Sequence, residues 1–510
     1  MKRLFACFLA IWMTCTLTGC WQDVSDKTED DTLWPHDQSS EPQEAQEETL
    51  LPTVLSLPYL AGQTLDPLTC PDGMQQVVSS LICESLFQLD STFQPHPVLC
   101  ESYTQNDAAT VYVLTLRDGI VFSDGTPLTA ADARASLLRA KSSPRYESRL
   151  SNVQSIIARG NILTISLYQP NVNFIALLDI PIVKSGSEKD IPIGTGPYLY
   201  AELDGSASLM ASQNWWQGNS QPTGRILLAE TSDQNAVLYR FTSRDIQLMV
   251  ADMTGSTPIN ATGRFDHWAA DTTVLQFLGC NMSKAPLDNA AFRSCLSKGI
   301  NRDHLVSAYL SGHGRSAQFP VSPASPFYPA SLEIPYSSAG FSSALKASGY
   351  TPKQTLTLLV NSENSFKVAA ATYLASAFTT AGIPMEVLAL PWEDFLAALA
   401  TGRYDLYYGE VKLQADWDLS ALLATGGSLN YGRRYDPEID ELLLAYRSAD
   451  DPSAAMRNLC RYLQSSAPIV PICFKKVSVL TQSDVLEGLS PTVAEPFYDL
   501  SSCVIHLKES

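Results

Sequence analysis

The chain has few bases for its length. Lys and Arg number 34 against 53 Asp and Glu, a net charge of −19 over 510 residues. That balance excludes a surface that tracks a phosphate backbone, because such a surface needs a basic footprint; no nucleic acid is expected as a partner. It also disfavours adhesion to anionic lipid through surface charge. Histidine is scarce and scattered. The six are His36, His96, His267, His304, His313 and His506, and the step from His304 to His313 matches no usual zinc spacing. There is no H-E-x-x-H, no G-x-S-x-G and no Walker loop. The 11 cysteines include no Cys-x-x-Cys pair, so zinc ribbons and thioredoxin-like redox motifs have no support. The expectation is a protein without catalytic residues, metal or cofactor.

Long apolar runs are missing too. Residues 4–17 are mostly apolar, but 14 residues fall short of the about 20 that span a bilayer. They follow the basic head Met1-Lys2-Arg3, which predicts a signal peptide over residues 1–19. The run ends in Leu17-Thr18-Gly19-Cys20, which resembles a bacterial lipobox. That implies cleavage before Cys20 and a diacylglycerol anchor on its thiol. Residues 20–50 then read as a lipidated acidic tether. Ten acids stand against Lys27 alone in residues 21–48, a local charge of −9, so the segment repels itself and buries little. Eight cysteines remain beyond it. An even number in an exported chain permits disulfides, whereas the apolar neighbours of Cys83 and Cys473 suit buried thiols.

What is present is organised around residues 112–140, YVLTLRDGIVFSDGTPLTAADARASLLRA. Alternation puts Tyr112, Leu114 and Leu116 on one face of a strand, with Val113 and Thr115 on the other. Asp118-Gly119 signals a turn, and residues 120–122 are expected to return as a short strand. Asp124-Gly125 turns again. Thr129 is the expected N-cap of a helix, with Asp132 reaching back as in a capping box. Ala133, Leu137 and Leu138 continue its apolar face.

The chain is too long for one core, so two or three lobes are expected. Strand and helix alternate over residues 356–408, which predicts an α/β lobe with a largely parallel sheet. Phe292, Leu296, Ile300 and Leu305 mark one helical face. Gly194-Thr195-Gly196-Pro197-Tyr198 lacks the third glycine of a dinucleotide loop, and Pro197 has no N–H to offer a phosphate.

Several ordered motifs share one resemblance. LRDGIVFSDGTPLTAADA at residues 116–133 resembles the signature of the family-5 extracellular solute-binding proteins, the peptide-, nickel- and oligosaccharide-binding components of ABC importers. Leu65-Asp66-Pro67 is similar to that family's start, GTGPY at 194–198 to its second hallmark, and NWWQG at 214–218 to a third, slightly shifted. Residues 281–302 are similar to a further run, with Arg293 kept and Ala291-Phe292 in place of Val. The resemblance implies a periplasmic-binding-protein-like type II α/β fold of two lobes joined by a hinge, with an extra inserted domain (a cluster C-like arrangement). It places lobe I at 51–72, 191–270 and 478–510, inserted domain II at 73–190 and lobe III at 271–477.

The implied role is capture of a peptide or other small solute between the lobes and delivery to ABC permease and ATPase subunits. Nickel or another metal chelate, or a lipoprotein sensor that presents its ligand to a membrane partner, are the alternatives. The implied place is the extracytoplasmic face of the bacterial membrane, by lipid anchor or in the periplasm, as a monomer. Asp416 falls where oligopeptide-binding members set an Asp against the ligand ammonium, with Trp417 beside it; Leu413-Gln414 replaces the family's Trp-Cys. Trp392 matches a pocket tryptophan and Tyr146 a cleft tyrosine. Phe277 and Gly279 lie on a strand to which an extended ligand could add.

Overall fold

The computed structural model describes residues 51–508, apart from 72, 189–190, 219–220, 258, 260 and 433–434. The signal segment, Cys20 and the acidic tether lie outside the described residues. Strand Val111–Leu116 buries Tyr112, Leu114 and Leu116 and leaves Val113 and Thr115 half-buried, so the period-two reading holds. It pairs antiparallel with Cys100–Gln105 on one edge and Ile162–Leu167 on the other, and Val153–Arg159 completes a four-stranded sheet. Both edges are therefore taken, and residues 120–122 form no returning strand. A single bridge joins Val121 to Pro127, while Ile120 and Phe122 turn into the core. Gly119 and Gly125 supply the positive φ of the two turns, 78° and 81°.

Helix Ala130–Ala140 starts where the sequence places it. The Asp132 carboxylate accepts from the Thr129 N–H at 3.0 Å, completing the capping box. Ala133 and Leu137 face the core, but Leu138 is exposed, one step round the helix. The expected single face over residues 292–305 is divided between two helices, Ala290–Lys298 and Arg302–Tyr309, because Asn301 caps the second by accepting from the His304 N–H.

A second four-stranded sheet sets Leu55–Leu60 parallel to Arg225–Thr231, followed by Ser206–Ala211 and Tyr198–Leu203. The largest sheet has the order Leu248–Ala251, Ile469–Gln482, Phe265–Cys280, Leu406–Lys412, Leu356–Asn361, Met385–Leu390, with Gly314–Ser316 against Ile469–Gln482. It is mixed rather than largely parallel. Only Leu356–Asn361 and its two neighbours run parallel, joined through the helices Ser365–Thr380 and Trp392–Thr401. Phe265–Cys280 and Ile469–Gln482 come from distant parts of the chain without a crossover helix between them, and they pair antiparallel.

These two long strands serve two cores. Val479 packs with Leu55, Tyr198 and Leu248 at one end. Leu278 and Val470 pack with Leu356 and Phe378 at the other. Between those ends the register shifts from Asp271 to Leu275. Backbone pairing lapses there, which lets a ladder bend. Ion pairs flank the lapse: Arg315 with Asp271 at 2.8 Å and Lys475 with Asp252 at 2.5 Å. The eight described cysteines are all buried, Cys83 and Cys473 among them. No helix among the described residues is long and apolar enough to cross a membrane.

Candidate functional site

Two of the sequence motifs meet at one part-buried carboxylate. Thr195, from the GTGPY run, donates its hydroxyl to Glu84 at 2.8 Å. The indoles of Trp215 and Trp216, from NWWQG, donate to the same group at 3.1 and 2.9 Å. Burial pushes the Glu84 carboxyl up and these donors pull it back. The glycines of the first motif allow the approach. A Cβ on Gly194 would sit 2.0 Å from the carbonyl oxygen of Ile82, and Gly196 donates its N–H to that same oxygen at 2.8 Å. The motif thus clamps residues 81–84, of which Cys83 lines a cleft.

That cleft holds a cavity of about 120 Å³. Pro67, Gln76 and Cys83 line it from one side, Arg145, Tyr146, Arg149 and Asp179 from a second, and Thr273 with residues 412–415 from a third; Val493, Ala494 and Glu495 close it. Strand Leu406–Lys412 delivers Lys412 to the rim. Arg149 pairs with Asp179 and lies over the Tyr146 ring, 5.2 Å from its centroid. Arg145 donates to the carbonyl oxygens of Pro67, at 2.7 Å, and of Cys70. Burial pushes Asp179 up, and Arg149 opposes the shift. Burial also pushes the Tyr146 hydroxyl up to about 12. Glu495 accepts from the Gln88 side-chain amide, and burial pushes its carboxyl up to about 7.

Of the residues singled out in the sequence, Tyr146 lines this cavity. Asp416 is 3% exposed and lies just beyond the lining residues Gln414 and Ala415. Its carboxylate accepts from the Asn171 amide at 2.8 Å and the Asp418 N–H at 3.2 Å. Burial, then the charge of Asp418, pushes it up to about 6. Three further bonds join the same two parts of the chain. Asn173 donates to the Tyr446 hydroxyl at 3.0 Å, the Val172 N–H to the Arg447 carbonyl at 2.9 Å, and Gln414 to the Ser148 hydroxyl at 3.0 Å. Asp416 therefore sits in a hydrogen-bonded latch between these two parts of the chain.

Trp417 is fully buried, with its ring edge-on to Phe93 and Phe474 at 5.4 and 5.9 Å. Its φ of 56° is unusual for a bulky residue and turns the chain so that Asp416 and Trp417 face different neighbours. Trp392 starts helix Trp392–Thr401, half-exposed and stacked on Phe395 at 5.8 Å, outside the cavity lining. Phe277 and Gly279 cannot receive an added strand. Phe277 pairs with Gly409 and Pro471, and Gly279 with Tyr407 and Ile469, so both edges of their strand are occupied. Gly279 has a packing role instead: a Cβ there would lie 2.0 Å from the Tyr407 ring.

The sequence reading passed over Asn171, Asp179, Glu84 and Glu495. A signal existed for Asp179, the lone charge in the apolar run 174–183. Nothing local marks Asn171 or Glu495.

A family model described as "Bacterial extracellular solute-binding proteins, family 5 Middle" matches residues 94–431. The chain belongs to this family. The glutathione-binding protein GsiB of Escherichia coli (strain K12) is 26% identical over 451 residues, covering 81% of this chain and 87% of that protein. GsiB of Salmonella typhi is 25% identical over 448 residues with the same coverage. Among solved structures, the nickel ABC transporter protein of Bacillus halodurans has a TM-score of 0.74 at 19% identity over 89% of this chain and 98% of that one. HbpA2 of Haemophilus parasuis has a TM-score of 0.75 at 18% identity over 89% and 100%. These likenesses establish the two-lobe type II binding-protein fold. The expectation of a solute-binding component of an ABC transporter, and not an enzyme, holds.

Proposed function

We propose that this family-5 protein is the lipid-anchored receptor of an ABC importer that captures small peptides in the cleft and delivers them to the permease. Lobe I (51–72, 191–270 and 478–510), inserted domain II (73–190) and lobe III (271–477) are its moving parts, hinged where the long strands lose register. It works as a monomer on the extracytoplasmic face of the membrane. The observation that carries the reading is the cleft cavity itself. It joins three parts of the chain and mixes cations and carboxylates, which suits a zwitterion. Tyr146 supplies an aromatic wall for an apolar side chain. The similarity to glutathione-binding proteins points the same way, since glutathione is a small peptide.

Titration calorimetry of the full chain against a mixed di- and tripeptide pool, glutathione and a nickel–histidine chelate tests the substrate class. Saturable binding of a peptide is expected. Binding of the chelate alone would replace peptide with metal complex as the cargo. For the anchor, metabolic labelling with a radioactive fatty acid is expected to mark the wild type and not Cys20→Ser, which should leave the membrane fraction. A labelled Cys20→Ser protein would refute the lipobox reading.

A further inference from the structure

We infer that Glu495 is the cation-receiving group of the cleft, so that the ligand presents a positively charged amine to the wall formed by the end of the chain. The inference rests on the cleft being the ligand site, and it moves amine capture away from Asp416. The reason lies in which charges are already matched. Arg149 is paired with Asp179, and Arg145 is held by carbonyl oxygens. Asp416 is engaged by Asn171 and lies beyond the lining. Glu495 lines the cavity, yet its side-chain partner is the neutral amide of Gln88. Among the described residues it has no lysine, arginine or histidine at ion-pair distance. A carboxylate has about four acceptor positions, and part-buried Glu495 has most of its own available to a cation in the cavity.

Position strengthens the case. Glu495 also lines a neighbouring cavity of about 410 Å³, and only Ser80, Cys83 and Glu495 are common to both. Its side chain is therefore a partition that a ligand can address from the interlobe side or from the neighbouring cavity. Charges of both signs surround it: Arg145, Arg149 and Lys412 line the cleft cavity with Asp179, but none of these cations is at ion-pair distance from Glu495. Asp179 faces it from the cleft and Glu84 from the neighbouring cavity, and both push its carboxyl up after burial has done so. Asp499 and Tyr498 line the neighbouring cavity. His96, also there, is engaged by Asp90 at 2.9 Å. Burial and these neighbours push the Glu495 carboxyl up to about 7, toward its neutral form. A bound ammonium ion favours the ionised form and supplies the missing charge.

The ammonium could belong to a peptide terminus or to a polyamine, and the test separates them. Saturation-transfer NMR on the full chain uses ethylammonium, propionate and N-methylacetamide as a cation, an anion and a neutral probe of similar size. Ethylammonium is expected to bind in preference to the other two. Glu495→Gln is expected to weaken it at least tenfold, and Glu495→Asp, which keeps the charge one methylene further back, by less. A similar thermal midpoint for Glu495→Asp keeps the comparison valid if the Gln variant folds poorly. Ethylammonium that fails to bind, or binds Glu495→Gln as well as wild type, overturns the inference.

Alanyl-alanine, its N-acetyl form and putrescine identify the source. Alanyl-alanine bound with dependence on Glu495, and lost on acetylation, assigns a peptide terminus. Putrescine bound alone assigns a polyamine; the inference then stands while the peptide reading falls. Peptide binding that ignores both Glu495→Gln and acetylation leaves the peptide reading standing and sinks the inference.

Discussion

Asn171→Ala is expected to shift the lobes toward the open form about 10- to 100-fold at pH 7.5. Among the described residues the Asn171 amide is the one side-chain donor to the buried Asp416 carboxylate, beside the Asp418 N–H at 3.2 Å. A hydrogen bond to a charged group contributes about 1.5–3 kcal/mol, and 1.4 kcal/mol is tenfold. The apparent affinity of any ligand that binds the closed form falls by up to the same factor, because the competent population falls. Small-angle scattering, or a fluorophore pair across the cleft, measures the shift directly.

The effect depends on pH in a direction set by Asp416. Burial raises its carboxyl to about 6 in this structure, and hydration on opening is expected to return it toward the ordinary carboxylate range. A group raised in the closed form stabilises that form fully below its open-state value, and the contribution is lost as pH rises through 6. The wild type is therefore expected to close more readily at pH 5 than at pH 7.5, by up to tenfold per pH unit within that window. The penalty of Asn171→Ala is expected to shrink at pH 5, where a protonated Asp416 no longer needs a donor to a charge. Equal scattering profiles for wild type and variant at both pH values would remove the latch from the mechanism.

Truncating Arg293 is expected to cost about 3–5 kcal/mol of folding stability, because each buried acceptor left without its donor costs about 1–3 kcal/mol. Arg293 is 2% exposed and sits on helix Ala290–Lys298. Its guanidinium donates to the carbonyl oxygens of Ser466 at 2.6 Å, Ala467 at 3.1 Å and Leu287 at 2.7 Å. Ser466 and Ala467 end helix Pro452–Ser466, where carbonyls have no partner within the helix and the dipole favours a cation. One side chain thus closes a helix end and ties two helices together. Arg293→Ala leaves three buried acceptors bare and a cavity beside them. Arg293→Lys is expected to recover only part of the loss, because an ammonium lacks the planar fork that reaches separate carbonyls. Chemical denaturation of the three proteins gives the measurement, and a loss below 1 kcal/mol for Arg293→Ala would contradict this account.

Much of the fold was legible because it is written in short-range pattern. The alternation of Val111–Leu116 follows from the pleat, the start of Ala130–Ala140 from Thr129 and Asp132, and the end of Trp392–Thr401 from Gly402 at a φ of 71°. The motifs themselves were legible as well. Their reason was not, since nothing near Gly194 says that Ile82 will press against it. The strand expected at residues 120–122 failed for a related reason: both edges of its intended partner were filled by segments from elsewhere.

By itself the sequence determined the α/β class, the capped helices, the hallmark glycines and membership of a solute-binding family. Only the tertiary structure decided which carboxylate does what. Asp416 and Asn171 are 245 residues apart, and Glu495 and Gln88 are 407 apart. A carboxylate's role depends on its desolvation and on the donors that reach it. Both are set by chain segments that meet only after folding, so a matching position in sequence marks a place for Asp416 without fixing its partner.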